Sequence, residues 1–335
     1  ICAVMRYSKR LVNRNIENNH YLCGLKFKYK VEKEMQLQQT LRKNYLFEGK
    51  GLHTGKVAKM IVGPAPADTG IVFRRTDLGE GMQVEALAEN VSNTARSTTI
   101  SKGEASVSTI EHILSALTGM GVDNAYIDIN NVEVPILDGS AKPYIDAIWN
   151  DGFQEQDQPR RYIEVKETVE IVNEEKGSLV RIEPADEFSY DIMVDFNSKV
   201  LGVQHAQWNQ DVLYPEQIGT CRTFVFFHEI EFLFNNGLVK GGDVDNAIVI
   251  VEHPVTKEQV ENMSKLFNIP ALEVREDGYL SNLHLRFDNE CARHKLLDLI
   301  GDLRLCGGFL KAKVTAEKAG HGINTTAAKA VRKSL

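Results

Sequence analysis

The sequence predicts an α+β protein built from two similar units rather than one doubly wound sheet. Three observations carry this. Strand-like segments precede helix-like segments in each half of the chain, an order that favours separate α+β layers. A polar stretch, Asp151–Arg161 (DGFQEQDQPRR), separates the halves. The turn Pro66-Ala67-Asp68 in the first half is echoed by Pro184-Ala185-Asp186 in the second, as an internal duplication of about a hundred residues would leave.

Taken in order, Val57–Val62 reads as a strand, followed by the Pro-Ala-Pro-Ala-Asp turn and a second strand, Ile71–Arg74. Thr109–Leu117 (TIEHILSAL) reads as a helix, with Ser108 as N-cap and Glu111 three residues on, a capping-box pattern. After Gly119 and Gly121, Ala125–Ile129 alternates as a strand, and residues 141–150 form a helix after Asp138-Gly139. The second half repeats the scheme. Thr168–Val172, Leu179–Glu183 and Tyr190–Phe196 are strands, as are Ala247–Val251 and Lys311–Ala316. Glu229–Asn235, Asn289–Leu305 and Thr325–Lys333 are helices. The expected organisation is a leader or upstream segment over 1–34, disordered, then domain I over 35–156 and domain II over 157–335. Residues 1–34 carry eight Lys/Arg against three Glu, and patterned sequence begins after Met35, which reads as the true start. An organelle presequence is the alternative for this basic leader, though it lacks convincing amphipathicity.

The 335 residues suffice for two domains, and 43% hydrophobic with 25% charged residues is a globular profile. A net charge of −7 argues against a general nucleic-acid binder. No apolar run approaches the roughly 18 residues of a membrane span, so no stable membrane insertion is expected. Five cysteines with no CxxC pairing suit a reducing cytosol and offer no thiolate-zinc framework.

The most informative stretch is 291–302, CARHKLLDLIGD. On a helix His294, Asp298 and Asp302 fall at spacings of four on one face, among Leu296, Leu297, Leu299 and Ile300. An imidazole and a carboxylate one turn apart can grip a single metal ion, and catalytic zinc takes three protein ligands plus water. His112 is the candidate third ligand. Glu111 beside it, about 100° away around a helix, can reach a metal-bound water as general base. The plain alternatives are a half-buried core histidine with a capping glutamate, and a surface His–Asp pair. Asp302 can orient another histidine or simply be solvated. His321, between glycines in Ala-Gly-His-Gly, reads as a loop residue able to protonate a leaving amine or stabilise an oxyanion, or as a turn histidine. Gly49–Gly55 (GKGLHTG) is not a Walker A loop, since its glycine spacing is wrong. It reads as a turn between strands, with His53 structural. Arg222-Thr223-Phe224 precedes an aromatic-rich segment, Phe226, Phe227, Phe232 and Phe234; Thr223 can donate to a substrate, whereas packing is the bland expectation for the aromatics.

Together these segments resemble the UDP-3-O-acyl-N-acetylglucosamine deacetylases, zinc amidases of lipid A biosynthesis. The carrying motifs are GKGLHTG (49–55), STIEHILSAL (108–117), PILDGSA (135–141) and CRTF (221–224), then KGGDVDNA (240–247), RHKLLDLIGDL (293–303) and AGH (319–321), in the family's order. The resemblance implies two similar α+β domains whose helices pack between outer sheets, with the active site at their junction. It implies zinc on His112, His294 and Asp298, Glu111 as general base, and His321 protonated with Asp302 holding its orientation. It further implies Thr223 hydrogen-bonding the carbonyl oxygen, Lys295 contacting polar groups of the substrate, and Phe224 lining the sugar or acyl region. An acyl tunnel is expected from an inserted element within residues 197–220. The implied enzyme is a cytoplasmic monomer acting on acylated UDP-N-acetylglucosamine and releasing acetate. The alternatives are a catalytically silent UDP-sugar or acyl-chain binding protein, the deacetylase part of a longer fusion with an acyl-carrier dehydratase, and a non-haem iron oxygenase, since two His and a carboxylate also make a facial triad.

Overall fold

Alternation of buried and exposed residues sets the sheets. In a computed structural model that describes residues 36–235, 240–243, 245–267, 269–270 and 272–335, the first half opens with β1 (Leu37–Leu41), β2 (Tyr45–Lys50), β3 (Val57–Pro64), β4 (Ile71–Arg75) and β5 (Gln83–Glu85). A small antiparallel sheet follows, formed by β6 (Val91–Asn93), β7 (Thr99–Lys102) and β8 (Ala105–Val107). Helix α1 (Glu111–Gly119), β9 (Ala125–Ile129), α2 (Lys142–Ile148) and β10 (Phe153–Pro159) complete this half. The second half runs β11 (Tyr162–Glu164), β12 (Val169–Asn173), β13 (Ser178–Pro184), β14 (Ser189–Asp195), β15 (Val203–Asn209) and the short helix α3 (Tyr214–Gln217). Then come β16 (Phe224–Phe226), α4 (Phe227–Asn235), β17 (Ile248–Ile250), α5 (Lys257–Phe267), α6 (Glu290–Leu303), β18 (Phe309–Glu317) and α7 (His321–Lys333). The 1–34 leader and Met35 lie outside the described residues.

The duplication is present in the topology. The first large sheet has the order β2-β3-β9-β4-β5 and the second β12-β13-β18-β14-β15. In both, the central strand (β9 or β18) is antiparallel to one neighbour and parallel to the other. The two Pro-Ala-Asp turns sit between equivalent strands, β3–β4 and β13–β14. Each half also carries its own insertion between its edge strand (β5 or β15) and the long helix that precedes its central strand (α1 or α6): β6–β8 in one, β16 to α5 in the other. The fold is α+β, with mixed helices and sheets, as expected.

Each sheet presents one face to a shared interior. In β14 the alternate residues Tyr190, Ile192 and Val194 are buried, and in β3 Ala58, Met60 and Val62 are, as one-sided burial requires. Helices α1 and α6 lie against each other in this interior, so Glu111 through Thr118 are all buried. One continuous core includes Ile113, Leu114 and Leu117 of α1 with Leu296, Leu297 and Ile300 of α6. The polar residues of α1 are satisfied locally: Ser115 shares a 2.7 Å hydrogen bond with the Tyr214 hydroxyl, and Thr118 Oγ1 donates to the Leu114 carbonyl. At the crossing stands Gly301, where an added Cβ would lie 2.0 Å from the Glu111 carbonyl oxygen. At the far end Arg304 donates to the carbonyls of Val122 and Asp123, and its guanidinium stacks on Phe309.

Three sequence expectations change. The polar separator 151–161 contains strand β10, which pairs with β1 and returns the chain to the first half before the second begins. Ser108 makes no capping box: its Oγ donates to the Val132 carbonyl, and α1 has no side-chain cap. Residues 197–220 form the edge strand β15 and α3 rather than an inserted element. Among the described residues no helix is long and apolar enough to cross a membrane.

Candidate metal centre and its cavity

Helix α6 has the period anticipated for it and buries His294, Asp298 and Asp302 to 2% exposure or less. His112 faces them from α1, its ring 5.0 Å from that of His294. One ligand atom from each of His112, His294 and Asp298 lies within 4.8 Å of the others. Asp298 Oδ1 is 3.5 Å from His112 Nε2 and 3.4 Å from His294 Nε2. This buried oxygen has no hydrogen-bond partner, whereas Oδ2 accepts a 2.9 Å bond from Lys295 Nζ. A desolvated anionic oxygen left unpaired is costly, and a cation among the three groups would remove that cost. His294 Nδ1 lies 3.1 Å from the Cys221 carbonyl, which fixes the tautomer and turns the Nε2 lone pair toward Asp298. Burial lowers the pKa of His294 to about 4, so its imidazole is neutral, as a ligand must be. Burial acts against ionised Asp298 as well. Lys295 and other neighbours outweigh it and hold the carboxyl well below its usual range. The residues present fit a divalent metal ion with two imidazoles and one carboxylate.

Glu111 and His321 flank this centre. Glu111 is 3% exposed, and burial raises its pKa despite the cationic pull of His321. Its Oε2 accepts the Thr98 backbone N–H at 3.0 Å, and its Oε1 lies 3.9 Å from His321 Nε2. His321 is not on a loop: it is the first residue of α7 and is buried. Its Nδ1 donates to Asp302 Oδ2 at 2.9 Å. Burial disfavours the imidazolium, but Asp302 and Glu111 more than compensate and raise its pKa to about 9. Asp302 also accepts from Thr98 Oγ1 (2.5 Å) and Asn324 Nδ2 (2.9 Å). Asp302 is therefore neither a fourth ligand nor solvated; it holds His321.

A cavity of about 320 Å³ opens over these groups and is lined by Glu111, His112, His294, Lys295, Asp298 and His321 at its polar end. Thr223 and Phe224 line it too. Thr223 is placed by its N–H donating to Gly139 and its carbonyl accepting from Ile248. The apolar wall comes from Phe224, Phe226, Ile230, Leu233, Val249 and Met263, with Phe196 beside them. This wall, Phe196 apart, belongs to the β16–α5 insertion, and residues 197–220, where a tunnel-forming element was expected, contribute nothing to it. Phe224 and Phe226 precede α4 and Val249 is in a parallel partner strand, a pairing that no local pattern announces.

Sequence reasoning missed two contributors. His53 lines the cavity with both ring nitrogens buried and unpartnered, and burial lowers its pKa. Its turn is pinned by Glu133, which accepts from the His53 and Thr54 N–H groups at 2.8 Å. Arg96 reaches from the first half to Glu229 of α4 at 3.4 Å, both at the cavity lining. The signal for His53 was the glycine-flanked position, which fits close approach of a ligand.

A family model described as LpxC: UDP-3-O-acyl N-acetylglycosamine deacetylase matches residues 38–267 and 268–333. The chain is 42% identical over 301 residues to the bifunctional enzyme LpxC/FabZ of Porphyromonas gingivalis, covering 90% of this chain and 65% of that protein. Against the bifunctional enzyme LpxC/FabZ of Chlorobaculum tepidum it is 40% identical, covering 88% and 64%. It thus spans about 65% of the length of these bifunctional relatives. The UDP-3-O-acyl-N-acetylglucosamine deacetylase of Teredinibacter turnerae is 39% identical over 290 residues, covering 86% of this chain and 87% of that protein.

Proposed function

The chain belongs to the UDP-3-O-acyl N-acetylglycosamine deacetylase family, and from that premise we propose that it hydrolyses the N-acetyl group of UDP-3-O-acyl-N-acetylglucosamine, releasing acetate, in lipid A biosynthesis. The observation that carries this is the unpartnered Asp298 Oδ1 facing two histidine Nε2 atoms, with a buried carboxylate and a buried imidazolium on either side. His112, His294 and Asp298 would hold zinc. Zinc bound there supplies a Lewis acid that polarises the acetamide carbonyl and lowers the pKa of water toward ~7.

The chain's own groups complete the reaction. Glu111, with its proton affinity raised by burial, takes the proton from the attacking water. A C–O bond forms and the amide C–N bond breaks. His321, protonated and oriented by Asp302, gives its proton to the departing nitrogen. Thr223 hydrogen-bonds the carbonyl oxygen as charge develops. Lys295 keeps Asp298 ionised and contacts polar groups of the substrate, while Phe224 and the apolar wall accept the acyl chain. We assign the two halves to two domains that share one active centre, with the boundary expected at 156/157 moved past β10, because β10 pairs with β1; the equal strand orders support this division. A cytoplasmic, monomeric enzyme accompanies this reading, and the buried free thiols of Cys221, Cys291 and Cys306 are in keeping with a reducing compartment.

Glu111→Gln tests the proposal. With one zinc still bound per chain, acetate release should fall by roughly 10²–10⁴-fold. Undiminished turnover would remove Glu111 as the base.

A further inference from the structure

Four groups beside the metal centre form a closed ring that begins and ends on Thr98. Its N–H donates to Glu111 Oε2 at 3.0 Å, and Glu111 Oε1 faces His321 Nε2 at 3.9 Å. His321 Nδ1 donates to Asp302 Oδ2 at 2.9 Å, and Asp302 Oδ1 accepts the Thr98 hydroxyl at 2.5 Å. Thr98 is fully buried and does not line the cavity.

We propose that Thr98 is a positioning residue for deacetylation, tying the carboxylate of Glu111 to the Asp302 that orients His321. The three groups stand on three helices, α1, α6 and α7. Asn324, whose side-chain amide also donates to Asp302, comes from α7 and so moves with His321. Thr98 comes from the first half, just before β7, and holds both carboxylates at once. Its backbone bond fixes the base and its side-chain bond fixes the support of the acid, so one residue sets the distance between them. A misplacement of the order of 1 Å at such a centre is enough to cost orders of magnitude in rate. Because the bond to Glu111 is made by the backbone, valine at this site removes only the hydroxyl bond to Asp302.

This inference rests on the roles proposed above for Glu111 and His321, and the experiment separates the two. Zinc-loaded wild type, Thr98→Val, Thr98→Ser and Glu111→Gln are compared for kcat, KM, zinc content and thermal midpoint. Thr98→Val should lose roughly tenfold or more in kcat, the worth of a buried hydrogen bond to a charged group. KM should stay within about twofold, since Thr98 does not meet the substrate. Zinc should remain at one per chain, and Thr98→Ser should recover most of the rate. In the metal-free protein, the downfield imidazole proton that His321 donates to Asp302, identified by its loss in His321→Ala, should move in Thr98→Val and return in Thr98→Ser. An unchanged kcat, a loss confined to KM, or a serine variant no better than valine would overturn the proposal. If valine does not fold, the smaller Thr98→Ala is judged against serine by the same criteria. Full activity in Glu111→Gln defeats the underlying assignment of the base; an inactive Glu111→Gln beside a normal Thr98→Val defeats only the inference about Thr98.

Discussion

A single carboxylate oxygen, Asp298 Oδ1, organises the centre: it is buried, ionised and left for a cation to satisfy. Asp298→Ala should therefore abolish stoichiometric zinc, read by metal analysis after dialysis, and retention of one tightly bound zinc would disprove the ligand set. The pH response follows from His321. Its pKa in the folded chain is about 9, above the ordinary 6.5, so the imidazolium stabilises the folded state fully below pH 6.5 and loses that contribution as pH rises through 9. The same proton is the one proposed for the leaving nitrogen, so kcat should decline on an alkaline limb near pH 9. Asp302→Asn should move that limb to lower pH, and an unmoved limb would free Asp302 of its role. At this scale much was legible. His112, His294 and Asp298 follow from helical spacing plus the search for a third ligand. Thr98 and Asn324 did not, because the carboxylate they share, Asp302, lies 204 residues from the first and 22 from the second.

Between helices, the decisive contact is Gly301 against Glu111. Alanine there would place a methyl group 2.0 Å from a carbonyl oxygen, so α1 and α6 must part. The expected cost is about 1–3 kcal/mol of stability, typical of overpacking. Because the ligands are divided between these two helices, zinc affinity should fall as well, which competition with a chelating dye measures. The control is Gly119→Ala, whose methyl meets the Tyr214 ring at the other end of α1. Equal zinc affinity in the two variants would show that the crossing does not govern the site. Helices α1, α2, α4, α6 and α7 were readable from apolar periodicity, and β3, β4, β9, β12, β13, β14, β17 and β18 from alternation, whereas α3, α5 and the remaining strands were not. The ends were less so: His321 was expected on a loop because glycines flank it, yet Gly320 is extended and the helix begins at once. Strand β10 escaped notice because its side chains are nearly all polar, and backbone pairing with β1 is what makes it a strand.

The two halves share one hydrophobic core, and Arg304, just after α6 in the second, donates to the carbonyls of Val122 and Asp123 that follow α1 in the first. Cooperative unfolding follows, and calorimetry should show one transition rather than two. Zinc should raise its midpoint in proportion to the logarithm of free metal, since only the folded chain brings the ligands together. Two transitions, of which zinc moved one alone, would contradict this. The repeated turns hinted at the duplication, but its strength lies in the strand orders, which long-range pairing decides and local sequence does not spell out. The duplicated helices have diverged in what they carry: α1 has one proposed ligand and the proposed base, α6 two proposed ligands and the carboxylate that hydrogen-bonds His321. Neither copy holds a complete centre. A chain severed in the short connection between β10 and β11 would thus give two fragments that are each chemically silent, and acetate release would count only the molecules in which the fragments had found each other.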